Sequence, residues 1–150
     1  MTFYIDQTSA PGYLRSRGLL PPGAQPEVQV LGWGVSNTLL KVSWEQGCFV
    51  VKQSLPKLRV EDDWFADRSR IYRETECIQL LGRLLERGRV PQVLYQDREN
   101  YLFVMSCAPA HGAVWKEQLL RGEVDVSIAA RVGSLLGRIH QQTHGDPAIR

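Results

Sequence analysis

Lys52 and Glu74 are the residues of this chain whose types and settings point most directly to chemistry. In the stretch "CFVVKQ", strand alternation puts Cys48, Val50 and Lys52 on one face and Phe49, Val51 and Gln53 on the other. Glu74 lies in "RSRIYRETECIQLL", where helical spacing gathers Ile71, Cys77, Ile78, Leu81 and Leu85 around it on one apolar face. An unpartnered carboxylate on such a face is costly, so it calls for a cation or several donors, and Lys52 is the natural candidate. Glu76 falls off that face, in solvent. Read alone, Lys52 fits better as an exposed lysine guarding an edge strand; Glu74 is what shifts the reading.

Two further stretches add to this pair. In "LGWGVSNTLLKV", Gly32 and Gly34 permit backbone angles that other residues resist, and a turn there would leave amide groups free to meet phosphate oxygens. Ser36 and Asn37 would add side-chain hydrogen bonds. By itself a Gly-x-Gly pair is a plain turn. In "YLFVMSCAPAHG" an apolar strand runs into small residues and a Pro/Gly linker, which by itself reads as an ordinary interdomain connection.

Positioning these residues takes strands and one long helix. Residues 9–20 predict a short helix, with Ser9 as its cap, Pro11 in the first turn and Gly18 at the end. After "PPGAQP" come three strands, "VQVLGW", "TLLKVSW" and "CFVVKQ", the last two joined by "EQG" with Gly47 where a left-handed residue is wanted. The polar run "SLPKLRVEDDWFADRSR" leads to a long helix over about 67–87, stopped by Gly88 and Pro91. Strands "QVLYQD" and "YLFVMSC" flank a turn at 98–100. Beyond "APAHGA" lie helices near 114–121 and 126–142, the second capped by Asp125. Such segregated runs predict an α+β fold with an antiparallel sheet and a helical second part.

Length and composition bound the function classes. The chain has 150 residues, of which 43% are hydrophobic and 23% charged, as in an ordinary soluble globular protein. A net charge of +2, with Lys and Arg scattered along the sequence, argues against nucleic acid as the partner. A site for a phosphate-bearing small molecule needs local charge only. No apolar run approaches a membrane span, and the first residues lack the pattern of a signal peptide. Cys48, Cys77 and Cys107 are far apart in apolar surroundings, which predicts buried reduced thiols in a cytoplasmic protein.

Taken together, "LGWGVSNTLLKV", "FVVKQSLPKLRV", "RSRIYRETECIQLL", "VPQVLY", "YLFVMSCAP" and "VGSLLGRIHQQT" resemble, in order, the N-terminal lobe of the aminoglycoside phosphotransferase superfamily. That superfamily also holds methylthioribose and choline kinases, and "KQSLP" leans toward the methylthioribose kinase-like members. The resemblance covers most of residues 28–143. It implies a protein-kinase-like N-lobe with a five-stranded antiparallel sheet and one long helix over residues 1–108. Residues 109–150 would be a hinge or linker and the first helices of a second lobe. It implies ATP and Mg2+ as cofactors and transfer of the ATP γ-phosphate to a small-molecule hydroxyl acceptor. Lys52 would contact the α- and β-phosphates with Glu74 anchoring it. Gly34, Ser36 and Asn37 would lie over the phosphates, and Val50 would line the adenine pocket. Met105, Ser106, Cys107 and Ala108 match the hinge, whose backbone at Ser106 and Ala108 would pair with adenine.

The family's catalytic loop reads His-Gly-Asp-x-x-x-x-Asn and lies well downstream of the helix matching "LLGRIH". His144-Gly145-Asp146 copies its first three residues, but it follows His140 by four, Pro147 comes directly after Asp146, and no Asn stands in the required place. The triplet is therefore read as a turn. No catalytic residue and no metal ligand is expected within residues 1–150. The proton acceptor, the magnesium ligands and most acceptor contacts are expected in a further part of the protein. A non-catalytic interaction module built on the same lobe is the competing reading. Ile128, Val132, Leu135, Leu136 and Ile139 form an apolar stripe on the helix at 126–142, which predicts self-association.

Overall fold

The computed structural model describes residues 3–32, 34–109 and 112–149, so Trp33 of the glycine-rich stretch and Ala110 and His111 of the linker lie outside the described residues. The chain runs through α1 (Ala10–Ser16), β1 (Glu27–Val30), β2 (Asn37–Trp44), β3 (Gly47–Ser54), α2 (Arg70–Leu84), β4 (Val93–Asp97), β5 (Leu102–Ser106), α3 (Trp115–Leu120) and α4 (Val126–Thr143). A short 3-10 turn follows at Pro147–Ile149. All five strands join one antiparallel sheet in the order β1-β2-β3-β5-β4. The α+β architecture and the antiparallel sheet are as expected. No helix among the described residues is long and apolar enough to cross a membrane.

Alternation along β2, β3 and β5 divides the sheet into two faces with different jobs. Leu40, Val42, Val51, Leu102 and Val104 pack beneath α1 and its flanks, against Ile5, Ala10, Tyr13, Leu14 and Leu20. Each large side chain buried there contributes about 1.5–3 kcal/mol relative to exposure. The opposite face carries Leu39, Val50, Lys52, Phe103 and Met105, brought side by side by the pairings Leu39↔Lys52, Lys52↔Phe103 and Val50↔Met105. α2 approaches β3 and β4 on this second face.

Several local expectations are corrected. The turn after β2 holds two residues, because Trp44 already pairs with Gly47. Gly47 is not left-handed; a Cβ there would come within 2.8 Å of the Trp44 ring, so glycine is needed for that close approach. α2 is shorter than the sequence pattern, ending at Leu84 with Leu85 extended. Its inner face is also turned: Ile71 and Thr75 are buried, whereas Cys77 is exposed. Thr75 tolerates the inner position because its hydroxyl donates to the Tyr72 carbonyl at 2.8 Å. Asp125 caps α4 as predicted, accepting from the Ser127 N–H at 2.8 Å.

Asp97 ties α1 to the β4–β5 turn. Its carboxylate, on a side chain only 5% exposed, accepts from the Tyr13 hydroxyl at 2.7 Å, the Asn100 amide group at 2.8 Å and Arg17 at 3.3 Å. Burial pushes its pKa up, but the hydrogen bonds from Asn100 and Tyr13, with Arg17 nearby, outweigh this and hold it below the usual aspartate range. A depressed folded pKa contributes stability that is fully present above the unfolded value of about 3.9 and is lost as pH falls through the lower folded value. Tyr13→Phe removes a donor and raises the folded pKa, so acid destabilisation should begin at a higher pH than in the parent. Urea unfolding followed between pH 7 and pH 2.5, roughly spanning both carboxyl values, checks this; superimposable pH profiles would refute it.

α3 and α4 are attached differently from the rest. Neither contains a fully buried residue. On α4, Ile128, Leu135 and Ile139 are half-buried, while Val132 and Leu136 are exposed.

Candidate functional site

β3 and α2 bring the two charged residues together. Lys52 Nζ donates to Glu74 Oε1 at 2.5 Å, with the lysine side chain 16% and the glutamate 38% exposed. Glu74 thus sits at the margin of the apolar face of α2 rather than in its middle. At that exposure water screens much of the attraction, so the pair matters chiefly because it aims the ammonium group.

Val50, Met105, Ser106 and Ala108 line a single cavity of about 630 Å3, within the usual range for small-molecule sites. Leu31 and Leu39 complete its apolar floor. Lys52 follows Val50 by two residues and therefore shares its sheet face. At the end of β5, the Ser106 N–H is spent on the Gln92 carbonyl at 2.9 Å, and the Gln92 N–H is taken by the Ser106 hydroxyl. The Ser54 N–H donates to the Tyr101 carbonyl, and ladder alternation from that bond directs the main-chain groups of Ser106 away from β3. Its carbonyl is the group Ser106 has to offer a ligand.

The glycine-rich turn is built otherwise than expected. Neither Gly32 nor Gly34 has a positive φ, and a Cβ at Gly34 would meet nothing closer than the Asn37 carbonyl at 3.7 Å. Gly34, Ser36 and Asn37 do not line the cavity; Asn37 Nδ2 donates to Ser36 Oγ at 2.9 Å. The turn is held by two arginines that the sequence reading passed over in a polar connection. Arg70, at the start of α2, donates to the carbonyls of Ser36 at 2.6 Å and Leu55 at 3.1 Å. The Arg59 N–H donates to the Val35 carbonyl at 2.8 Å and its guanidinium to the Thr38 hydroxyl at 2.8 Å. The elements carrying Ser36, Lys52 and Glu74 are fixed to one another through these bonds.

One compositional reading is overturned by the fold. Cys48 and Cys107 form a disulfide, so they are not reduced thiols, and Cys77 is free but exposed. The basic residues also gather in space. Arg83 and Arg87 line one cavity, Arg87 and Arg89 line the 630 Å3 cavity, and Arg89, Arg131 and Arg138 line a third. Glu86 partners two of them, Arg89 at 2.9 Å and Arg138 at 3.5 Å.

His144-Gly145-Asp146 follows the last turn of α4. The His144 N–H closes back on the His140 carbonyl at 2.8 Å, and Gly145 takes a left-handed φ of 75°. That is a helix stop, as the sequence predicted. Among the described residues no group of three His, Cys, Asp or Glu side chains gathers to hold a metal. Neither a protein-family model nor a curated protein sequence matches the chain.

Proposed function

We propose that this chain is the nucleotide-binding portion of a small-molecule phosphotransferase, with the kinase-like lobe to which its sequence is similar. The observation that carries this reading is the Lys52–Glu74 ion pair on the same sheet face as the apolar cavity at Val50 and Met105. A planar base fits the cavity: aliphatic side chains would cover its faces, and the Ser106 carbonyl would accept from an exocyclic amine. Lys52, held in direction by Glu74, would neutralise phosphate oxygens, and the turn at Ser36 would be kept over them by Arg70 and Arg59. ATP with Mg2+ is the ligand of matching chemistry. Bound, it would supply the phosphoryl group; these residues bind and orient it. The acceptor would be a small molecule with a hydroxyl group.

Calorimetric titration with magnesium–ATP, magnesium–ADP and adenosine tests this. Binding of the triphosphate that depends on Lys52 supports it. No binding of any of them at millimolar concentration would reject it in favour of a non-catalytic interaction module. The stripe on α4 is expected to cause concentration-dependent self-association, read by light scattering. A strictly monomeric species at high concentration would refute that expectation.

A further inference from the structure

Cys107 stands between the two residues whose backbone would meet the adenine ring, and its sulfur is bonded to Cys48. The register that pairs Phe49 with Ser106 extends one step to set Cys48 opposite Cys107, with Cα atoms 5.9 Å apart. Ser106 is the last residue of β5 anchored by hydrogen bonds, through Gln92. The disulfide is a covalent tie between β3 and the chain at the point where it leaves for α3 and α4. Cys107 is also a wall of the 630 Å3 cavity, whereas Cys48 is not. Each cysteine is half-buried, and a small reagent entering the cavity meets Cys107 first.

We propose that Cys48–Cys107 is a reversible redox site whose state sets how tightly the cleft holds a nucleotide; this second half rests on the nucleotide-binding reading above. The reductant is a dithiol. One of its thiolates attacks Cys107 Sγ, the S–S bond breaks, and Cys48 leaves as a thiolate that takes up a proton. The second thiol of the reductant then attacks the mixed disulfide, releases Cys107 as a thiol and closes the reductant into a disulfide. Two electrons and two protons have passed to the protein. A low-molecular-weight disulfide reverses the reaction and departs as two thiols.

The oxidised form holds the Ala108 N–H in place, beside a Ser106 already anchored through Gln92, before a ligand arrives. In the reduced form binding must itself order that segment, and fixing even one residue of backbone costs enough to weaken affinity roughly tenfold. The coupling is reciprocal: a nucleotide that favours the anchored hinge also slows reduction, and it covers the route to Cys107.

The test uses Cys77→Ser protein, so that only this pair can react. Alkylation under denaturing conditions should label no cysteine before treatment with dithiothreitol and both afterwards; labelling of both in untreated protein overturns the proposal. Oxidised and reduced protein are then titrated with magnesium–ATP and with adenosine. Both ligands should bind roughly tenfold more weakly to the reduced form, because the hinge acts on the base. Cys48→Ser should bind like the reduced form and ignore dithiothreitol. Equal affinities in the two states overturn the proposed control of binding. If neither state binds nucleotide, the nucleotide-binding reading falls and the control of binding falls with it. The redox site is still judged, by hydrogen exchange at the amides of Cys107 and Ala108. Faster exchange on reduction supports it, and unchanged exchange overturns it.

Discussion

Replacing Lys52 by alanine is expected to lower affinity for magnesium–ATP roughly thirtyfold while changing adenosine affinity by no more than about twofold. The first figure follows from the cost of losing a charge-assisted hydrogen bond, about 1.5–3 kcal/mol, against about 1.4 kcal/mol for each factor of ten. The second follows from the sheet. Val50 and Met105 pair in register and line the cavity, and Lys52 lies two residues further along β3. Truncating Lys52 therefore removes a cation without removing a wall. Glu74→Gln should cost less, because the ammonium remains and loses only the partner that aims it. Equal ATP affinity in parent and Lys52→Ala would remove Lys52 from the site. An equal loss for ATP and adenosine would mean that the cleft itself had collapsed, and the phosphate assignment would fail. A like contrast between ATP and adenosine is not expected from loosening the hinge, so the two ends of the site are separable by choice of ligand.

The sheet was legible because its information is local. Alternation in "CFVVKQ" is enough to put Lys52 and Val50 on one face, and their pairing with Phe103 and Met105 on β5 bears this out. The cap at Asp125 was legible for the same reason. What could not be read depends on how distant segments meet. Cys48 and Cys107 are 59 residues apart, and nothing in either segment names the other until the β3–β5 register is known. Arg89 and Arg138 are likewise remote in sequence and share Glu86 as a partner. Thr75 shows a different failure: the apolar face was drawn through hydrophobic residues and Glu74 and did not include it, although its hydroxyl is satisfied within its own helix and costs little to bury. Glycine misled in the opposite sense. At Gly34 and Gly47 the backbone is unexceptional, and at Gly47 what matters is the Trp44 ring lying where a Cβ would be.

Gln53→Leu is expected to destabilise the fold by about 2–6 kcal/mol, although it exchanges one side chain for another of similar volume. Alternation assigned Gln53 to the face shared by Phe49 and Val51, and there it is 0% exposed. Its side chain works as a bracket between segments far apart in sequence. Oε1 accepts from the Ile5 N–H at 2.8 Å, and Nε2 donates to the Phe3 and Asn100 carbonyls, each at 2.9 Å. Leucine fills the space and satisfies none of these groups. The Asn100 carbonyl keeps a second donor in Arg68 at 3.1 Å, so the groups left stranded are the Ile5 N–H and the Phe3 carbonyl. Two orphaned main-chain groups at about 1–3 kcal/mol each give the estimate, and a shift in melting temperature of roughly 4–24 °C follows for a domain of this size. Gln53→Glu should be at least as damaging, since it keeps the acceptor for Ile5 but turns a second oxygen toward two carbonyls in a site closed to water. Urea unfolding at pH 7 reads both variants, and stability within about 0.5 kcal/mol of the parent would show that the bracket contributes no more than an ordinary surface contact. Gln53 and Lys52 point to opposite faces, so the folded fraction of Gln53→Leu should still bind magnesium–ATP as the parent does. A loss of affinity in folded Gln53→Leu would mean that the packing beneath α1 also sets the geometry of the cleft.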